Sequence, residues 1–298
     1  MFSSPNKKED TTLNKQKRVM AIHDISCVGR CSLTVALPII SAAGHDCGVL
    51  PTAVLSTHTG GFENFTYRDL TADIDPISNH WQTLGLGFDA MYSGFLGSFE
   101  QIDLVAKLFK TYKAADNIVL VDPVMADEGK LYAIYSPEMA KGMAKLCGSA
   151  DIIIPNITEA CFMVDEKWKD GPYDKPYIEN LLKKLATLGA KQIVLTGVHF
   201  DNEKLGAAVY DTTTGKIEYV FADRIEGHFH GTGDVFGSAL LSALLNGFSL
   251  VDAAQIACDY VCESIRITIA LNQERRYGVA FEMALPMFIK RLGLLEQC

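Results

Sequence analysis

What the sequence lacks narrows it first. No run of about 18 apolar residues occurs, the length that a membrane-spanning helix needs, so no membrane partner is expected. Positive charge is scarce: Lys and Arg number 27 against 36 Asp and Glu, a net charge of −9, and no basic block exceeds a few residues. Nucleic acid and anionic membranes are held by clustered positive charge, so neither is an expected partner. The phosphate loop G-x-x-x-x-G-K-[ST] is missing, the nearest stretches being "DEGKLY" and "TTGKIE". The dinucleotide fingerprint G-x-G-x-x-G is missing too. Any phosphate chemistry here needs another device.

Cysteine is not scarce, but the 8 cysteines are scattered through apolar runs of a 298-residue chain. That pattern reads as reduced, buried thiols rather than a disulfide framework. The Cys27/Cys31 and Cys258/Cys262 pairs lack the close spacing and histidine partners of a zinc site. Hydrophobic residues at 48% and charged residues at 21% are the balance of a globular protein with a small-molecule role. Residues 1–18, "MFSSPNKKEDTTLNKQKR", are polar and mixed in charge, which predicts a disordered extension and no signal peptide, hence a cytoplasmic protein. With neither an internal repeat nor a low-complexity linker, residues 19–298 are expected to form one domain.

Along that domain short β-branched runs alternate with helical patterns. "RVMAI", "DCGVLPTAV", "DAMYSGFL", "NIVLVDP", "ADIIIPN" and "KQIVLTGV" read as strands. "CSLTVALPIISAAG", "SFEQIDLVAKLFKTYKAAD" and "YIENLLKKLATLGA" read as helices, and "LGAAVYDTTTGKIEYVFADR" as a hairpin around Thr214-Gly215. Strands apolar on both faces and alternating with helices predict an α/β fold with a mainly parallel central sheet. Such sheets bind ligands at the carboxyl ends of their strands. Asp24 follows "VMAIH", Asp122 "NIVLV", Asn156 "DIIIP" and Thr196 "KQIVL". Each alone reads as a turn former or helix cap; together with Asp127, Glu128 and Glu159 they point to a magnesium-nucleotide site, since magnesium takes hard oxygen ligands and keeps several waters.

The stretch "HFHGTGDVFGSALLSALLNG" sets two glycines and an aspartate before an apolar helix. Gly231 and Gly233 let the backbone approach a ligand closely, and the free amides at a helix start make an anion site. Asp234 reads either as an ordinary helix cap or as the group that takes the proton from an attacking hydroxyl. Further on, "SLVD" at Ser249–Asp252 reads as a capping box.

Taken together, "HGTGD", "DPVMADEGKLY", "ADIIIPNITEA", "STHTGG" and "SGFLGSFEQ" resemble the ribokinase-like superfamily and, within it, the pyridoxal (vitamin B6) kinases, from about Arg18 to Lys290. The resemblance implies a three-layer α/β/α sandwich, usually a homodimer, that moves the γ-phosphoryl group of ATP to the 5′-hydroxymethyl of pyridoxal, pyridoxine or pyridoxamine. It implies Asp234 as catalytic base and the Gly231, Thr232 and Gly233 amides as the anion hole. Asp122 and Glu159, with Asn156, would hold Mg2+ largely through water, with the use of a monovalent cation such as K+ left open. Asp127, Asn156, Thr196 and Tyr132 would lie near the ATP phosphates. His58 and Thr59 match residues lining the pyridine ring, as do the positions of Asp24 and Phe95, although many relatives carry serine and tyrosine there. Ala126 stands where a glycine is common. Hydroxymethylpyrimidine kinases and sugar kinases share the phosphate machinery, and a noncatalytic nucleotide- or vitamer-binding protein would keep the fold without needing a base.

Overall fold

The computed structural model describes residues 16–295. The expected extension lies outside these residues up to position 15; of its last three, Arg18 already opens the first strand. Chain order is β1 (Arg18–Ser26), α1 (Leu33–Ala42), β2 (Asp46–Leu55), β3 (Tyr67–Asp69), α2 (Thr71–Thr83), β4 (Ala90–Ser93), α3 (Phe99–Tyr112), β5 (Ile118–Val121), β6 (Ala126–Asp127) and β7 (Lys130–Leu131). It continues through α4 (Pro137–Cys147), β8 (Ile152–Ile153), α5 (Ile157–Met163), α6 (Lys175–Ala186), β9 (Gln192–Val198), β10 (Lys204–Asp211), β11 (Lys216–Asp223), α7 (Thr232–Leu245), α8 (Leu250–Ala270) and α9 (Phe281–Arg291).

The main sheet has the order β11-β10-β9-β8-β5-β4-β1-β2-β3. From β9 to β2 all neighbours are parallel; β3 on one edge and the β10–β11 hairpin on the other run antiparallel. Alternation along the strands sends side chains to two separate cores. Met20, Met91, Val119 and Ile193 pack with α2–α6 on one face. Val19, Tyr92, Leu120 and Val194 pack with α1 and α7–α9 on the other. The molecule is the expected three-layer sandwich.

Most helices start where a side chain can satisfy their free amides, as polar caps do. Ser98, Ser136, Asn156, Asp174 and Ser249 each accept a hydrogen bond from the third residue onward, opening α3, α4, α5, α6 and α8. Helices α1, α2, α7 and α9 have no side-chain cap, and α7 is set apart by its cap position, Gly231 in the left-handed region (φ 77°). The expected box at Ser249–Asp252 is half present. Ser249 caps, but the Asp252 carboxylate accepts the Ser249 hydroxyl at 2.6 Å instead of reaching the backbone.

Chain direction decides where a ligand goes. From β1 the chain moves outward to β2 and β3, then returns past β1 to β4 and continues the other way. Strand order therefore reverses between β1 and β4, and a crevice opens at their carboxyl ends.

Candidate active site

One strand runs further than its sequence pattern indicates: Asp24 lies inside β1, two residues short of its end, while Thr196 lies inside β9, within the run "KQIVLTGV". The register of β1 against β2 shifts between His23 and Ile25, leaving Asp24 without a cross-strand partner. Asp122 directly follows β5, its amide bonded to the Ser93 carbonyl at 2.9 Å. Asn156 caps α5 and forms a bridge with Thr196. All four stand at the carboxyl edge of the sheet, on the side where the strand order reverses.

Asp234 is the third residue of α7, yet it caps nothing. Its Oδ2 accepts the backbone amide of Ser32, 2.8 Å away, tying the start of α7 to the start of α1. Ser32 delivers that amide from a strained conformation, φ 56° and ψ −130°, and its own side chain does not cap α1. Backbone strain in a non-glycine residue costs about 1–3 kcal/mol and persists where the surroundings fix it. Burial pushes the Asp234 carboxyl up to about 7, the Ser32 bond opposing and the charge of Asp24 adding to the rise. A carboxylate poised there takes protons efficiently at neutral pH.

The two glycines have separate jobs. At Gly231 any side chain would meet the Arg30 carbonyl in a backbone conformation that other residues rarely adopt. Gly233 needs no such conformation; a Cβ there would point toward Asp122, 3.9 Å from its Oδ2. Its bareness keeps open the space between the helix start and that carboxylate.

Asp122 is buried, with no hydrogen-bond or ion-pair partner for its carboxylate among the described residues. Burial first, then the charges of Glu159 and Asp234, push its pKa well up. Glu159 is also raised by burial, against the bonds it receives. Those bonds commit it: Oε1 accepts the Met125 amide (3.1 Å) and Oε2 the Asn156 amide (2.8 Å), closing a capping box in which Asn156 Oδ1 accepts the Glu159 amide (2.8 Å). Asn156 Nδ2 donates to the Ala126 carbonyl, so the pair pins the β6–β7 hairpin to α5. Asn156→Ala is expected to cost about 1–3 kcal/mol, measured by urea unfolding, because it removes a cap and strands buried backbone groups.

That hairpin carries Asp127 and Tyr132. Asp127 is half-buried and raised mainly by burial, and its Oδ1 accepts the Glu128 amide at 2.9 Å. Tyr132 is exposed, but burial of its hydroxyl end and the charges of Glu159, Asp127, Asp122 and Asp234 raise its pKa. The Thr196 hydroxyl donates to the Pro155 carbonyl at 3.3 Å.

The remaining candidates lie around the rim. His58 is buried, and both ring nitrogens serve the backbone: Nδ1 accepts the Gly60 amide (3.1 Å) and Nε2 donates to the Arg276 carbonyl (2.5 Å). A ligand can therefore meet only its ring. Thr59 beside it is exposed and makes no side-chain hydrogen bond among the described residues. Phe95 is half-buried, its ring edge-on to Tyr135 at 6.0 Å. Cys27 departs from the expected burial of the thiols, being exposed in the β1–α1 loop.

Ser32 carries no signal in the sequence, and only its backbone angles reveal its part; His228 and His230, which flank the glycine turn, read in the sequence as structural histidines. His230, directly before the glycine turn, lies tilted against His58 with ring centroids 5.0 Å apart, and His228 meets it edge-on at 4.9 Å. Burial, with the two neighbouring histidines, lowers it to about 4, so it is neutral.

Residues 44–278 match the phosphomethylpyrimidine kinase family. A pyridoxine kinase from Bacillus subtilis is 30% identical over 218 residues, 70% of this chain and 76% of that protein. A Bacteroides thetaiotaomicron protein crystallised with pyridoxal superposes with a TM-score of 0.87 at 35% identity, covering 92% of this chain and 96% of that one. A pyridoxal kinase from Lactobacillus plantarum gives 0.84 at 30% identity, covering 92% and 97%. The chain thus belongs to the phosphomethylpyrimidine kinase family, and is a kinase of the pyridoxal/hydroxymethylpyrimidine group with a ribokinase-like fold.

Proposed function

We propose that the protein transfers the γ-phosphoryl group of ATP to the 5′-hydroxymethyl group of a B6 vitamer, with Asp234 as the general base. The observation that carries this reading is a buried carboxylate which sits in the first turn of an uncapped helix and does not cap it. Mere binding of a nucleotide gives no reason to keep such a group.

Each part has a role. The Gly231, Thr232 and Gly233 amides form a fixed anion hole for the moving phosphoryl group, where preorganised donors stabilise developing charge without rearranging. Asp234 takes the proton of the attacking hydroxyl. Asp127, Asn156, Thr196 and Tyr132 line the nucleotide phosphates, and the acceptor ring lies among Asp24, His58, Thr59 and Phe95. Asn156 and Glu159 act through the backbone they hold as much as by direct contact.

The donor set fits magnesium. Asp122 is a buried carboxylate with no Lys or Arg partner among the described residues, beside a second carboxylate at Glu159. Among the described residues no three His, Cys, Asp or Glu side chains are arranged to hold a metal directly. A hydrated ion that touches few carboxylates suits that arrangement. Bound there, magnesium would neutralise the ATP phosphates; Asp122 would hold it and Glu159 would add charge through water. We also assign the protein as a cytoplasmic homodimer, by likeness to its family.

A hydroxymethylpyrimidine acceptor is the second reading, favoured by the family to which residues 44–278 belong. A sugar acceptor is disfavoured because only residues 27–32 join β1 to α1, too few for a lid of extra strands. Mass spectrometry of the product decides: incubation with ATP, magnesium and pyridoxal is expected to give the 5′-phosphate, and phosphate found only on hydroxymethylpyrimidine would replace the first reading by the second. With Asp234 raised to about 7, kcat/KM is expected to climb with pH through that value and level off above it.

A further inference from the structure

Asp24 is only 4% exposed, and no Lys or Arg pairs with it among the described residues. Its neighbours are hydroxyls, the Ser26 Oγ donating at 3.4 Å and the Ser32 side chain lying against it. Arg30, close in sequence, is occupied by Glu282, Gln273 and the Gly278 carbonyl. His23 supplies no charge either: it is fully buried, packs edge-on to Tyr92 at 4.4 Å, and burial holds it neutral at about 3. Asp234 adds a second negative group nearby. A buried carboxylate without a cationic partner is costly, and a neighbour of the same sign makes it more so.

Ser32 gives the arrangement a scale. Its amide donates to Asp234 while its hydroxyl lies against Asp24, so one residue spans both carboxylates. A ligand that meets both must carry its two groups as close neighbours, as adjacent substituents on one ring do.

We infer that Asp24 selects an acceptor bearing an amine next to its reacting hydroxymethyl group, and accepts a hydrogen bond from that amine. This rests on the proposed function in placing the hydroxymethyl at Asp234. Pyridoxamine has an aminomethyl group, cationic at neutral pH, on the ring carbon next to the hydroxymethyl. Hydroxymethylpyrimidine has an amino group in the corresponding place. Pyridoxal presents an aldehyde there and pyridoxine a hydroxyl, neither of which offers the missing charge.

Calorimetric titration of the full chain with pyridoxamine and with pyridoxine, repeated on Asp24→Asn, tests this without needing turnover. The expected result is pyridoxamine bound about tenfold or more tighter than pyridoxine, the scale of a charge-assisted hydrogen bond, with the ratio falling toward one in the variant. Equal affinities in the unaltered protein, or a preference that survives in Asp24→Asn, would overturn it. If the variant does not fold, the ratio in the unaltered protein decides. Phosphate transfer to no vitamer alongside a preserved preference would remove the proposed reaction and leave the amine selection standing; transfer to all three with equal affinities would do the reverse.

Discussion

Asp234→Asn is expected to lower turnover by roughly 10²-fold or more while leaving the fold intact, the usual scale for loss of a general base. Asparagine keeps an oxygen to accept the Ser32 amide, so the tie between α7 and α1 remains while the proton acceptor is lost. The variant is also expected to resist unfolding better than the parent above pH 7. An unfolded aspartate releases its proton near pH 4, whereas the folded one holds it to about 7. Between those values the folded state carries the extra proton, so this group's contribution to stability falls as pH rises. A neutral amide removes that loss. Thermal melts from pH 5 to 8 of ligand-free protein, parent against variant, check the sign; a site built for stability would give the opposite order.

Gly231→Ala is expected to destabilise the protein by more than about 2 kcal/mol and to abolish phosphoryl transfer. The added methyl group would enter the Arg30 carbonyl at φ 77°, and neither the turn nor the β1–α1 loop can yield without moving Ser32 and hence Asp234. Gly233→Ala separates the effects. Its Cβ finds ordinary contact distance, so denaturant midpoints should barely change, while the methyl intrudes on the space facing Asp122 and turnover should fall. Equal stability losses at both glycines would mean that the turn is structural throughout.

The layers and most of the sheet were legible because they depend on local pattern. Strands apolar on both faces between helical segments predicted the parallel core, and Thr214-Gly215 marked its hairpin. The edge strand β3 and the hairpin β6–β7 escaped because two or three residues carry no period. The end of β1 was misplaced at Asp24, where a polar residue interrupts the apolar pattern while the strand continues.

The site was legible where chemistry needs a residue type in a fixed local frame, as in G-T-G-D. It was illegible where function lies in the backbone. Nothing in the letters "CSLT" says that Ser32 adopts φ 56° and turns its amide to a residue 202 positions away. The commitment of His58 to the Arg276 carbonyl likewise depends on a neighbour distant in sequence, whereas the Glu159 capping box is spelled by "NITE" and was passed over in favour of a ligand role.

Phosphoryl transfer with Asp234 as base is tested by ADP release from ATP and magnesium by the purified protein, run in parallel with pyridoxal, pyridoxine, pyridoxamine, hydroxymethylpyrimidine and ribose. Turnover is expected with the vitamers, none with ribose, and the vitamer rate is expected to collapse in Asp234→Asn. Vitamer-dependent turnover that survives in Asp234→Asn, or a folded, ATP-binding protein that turns over none of the vitamers, would contradict it.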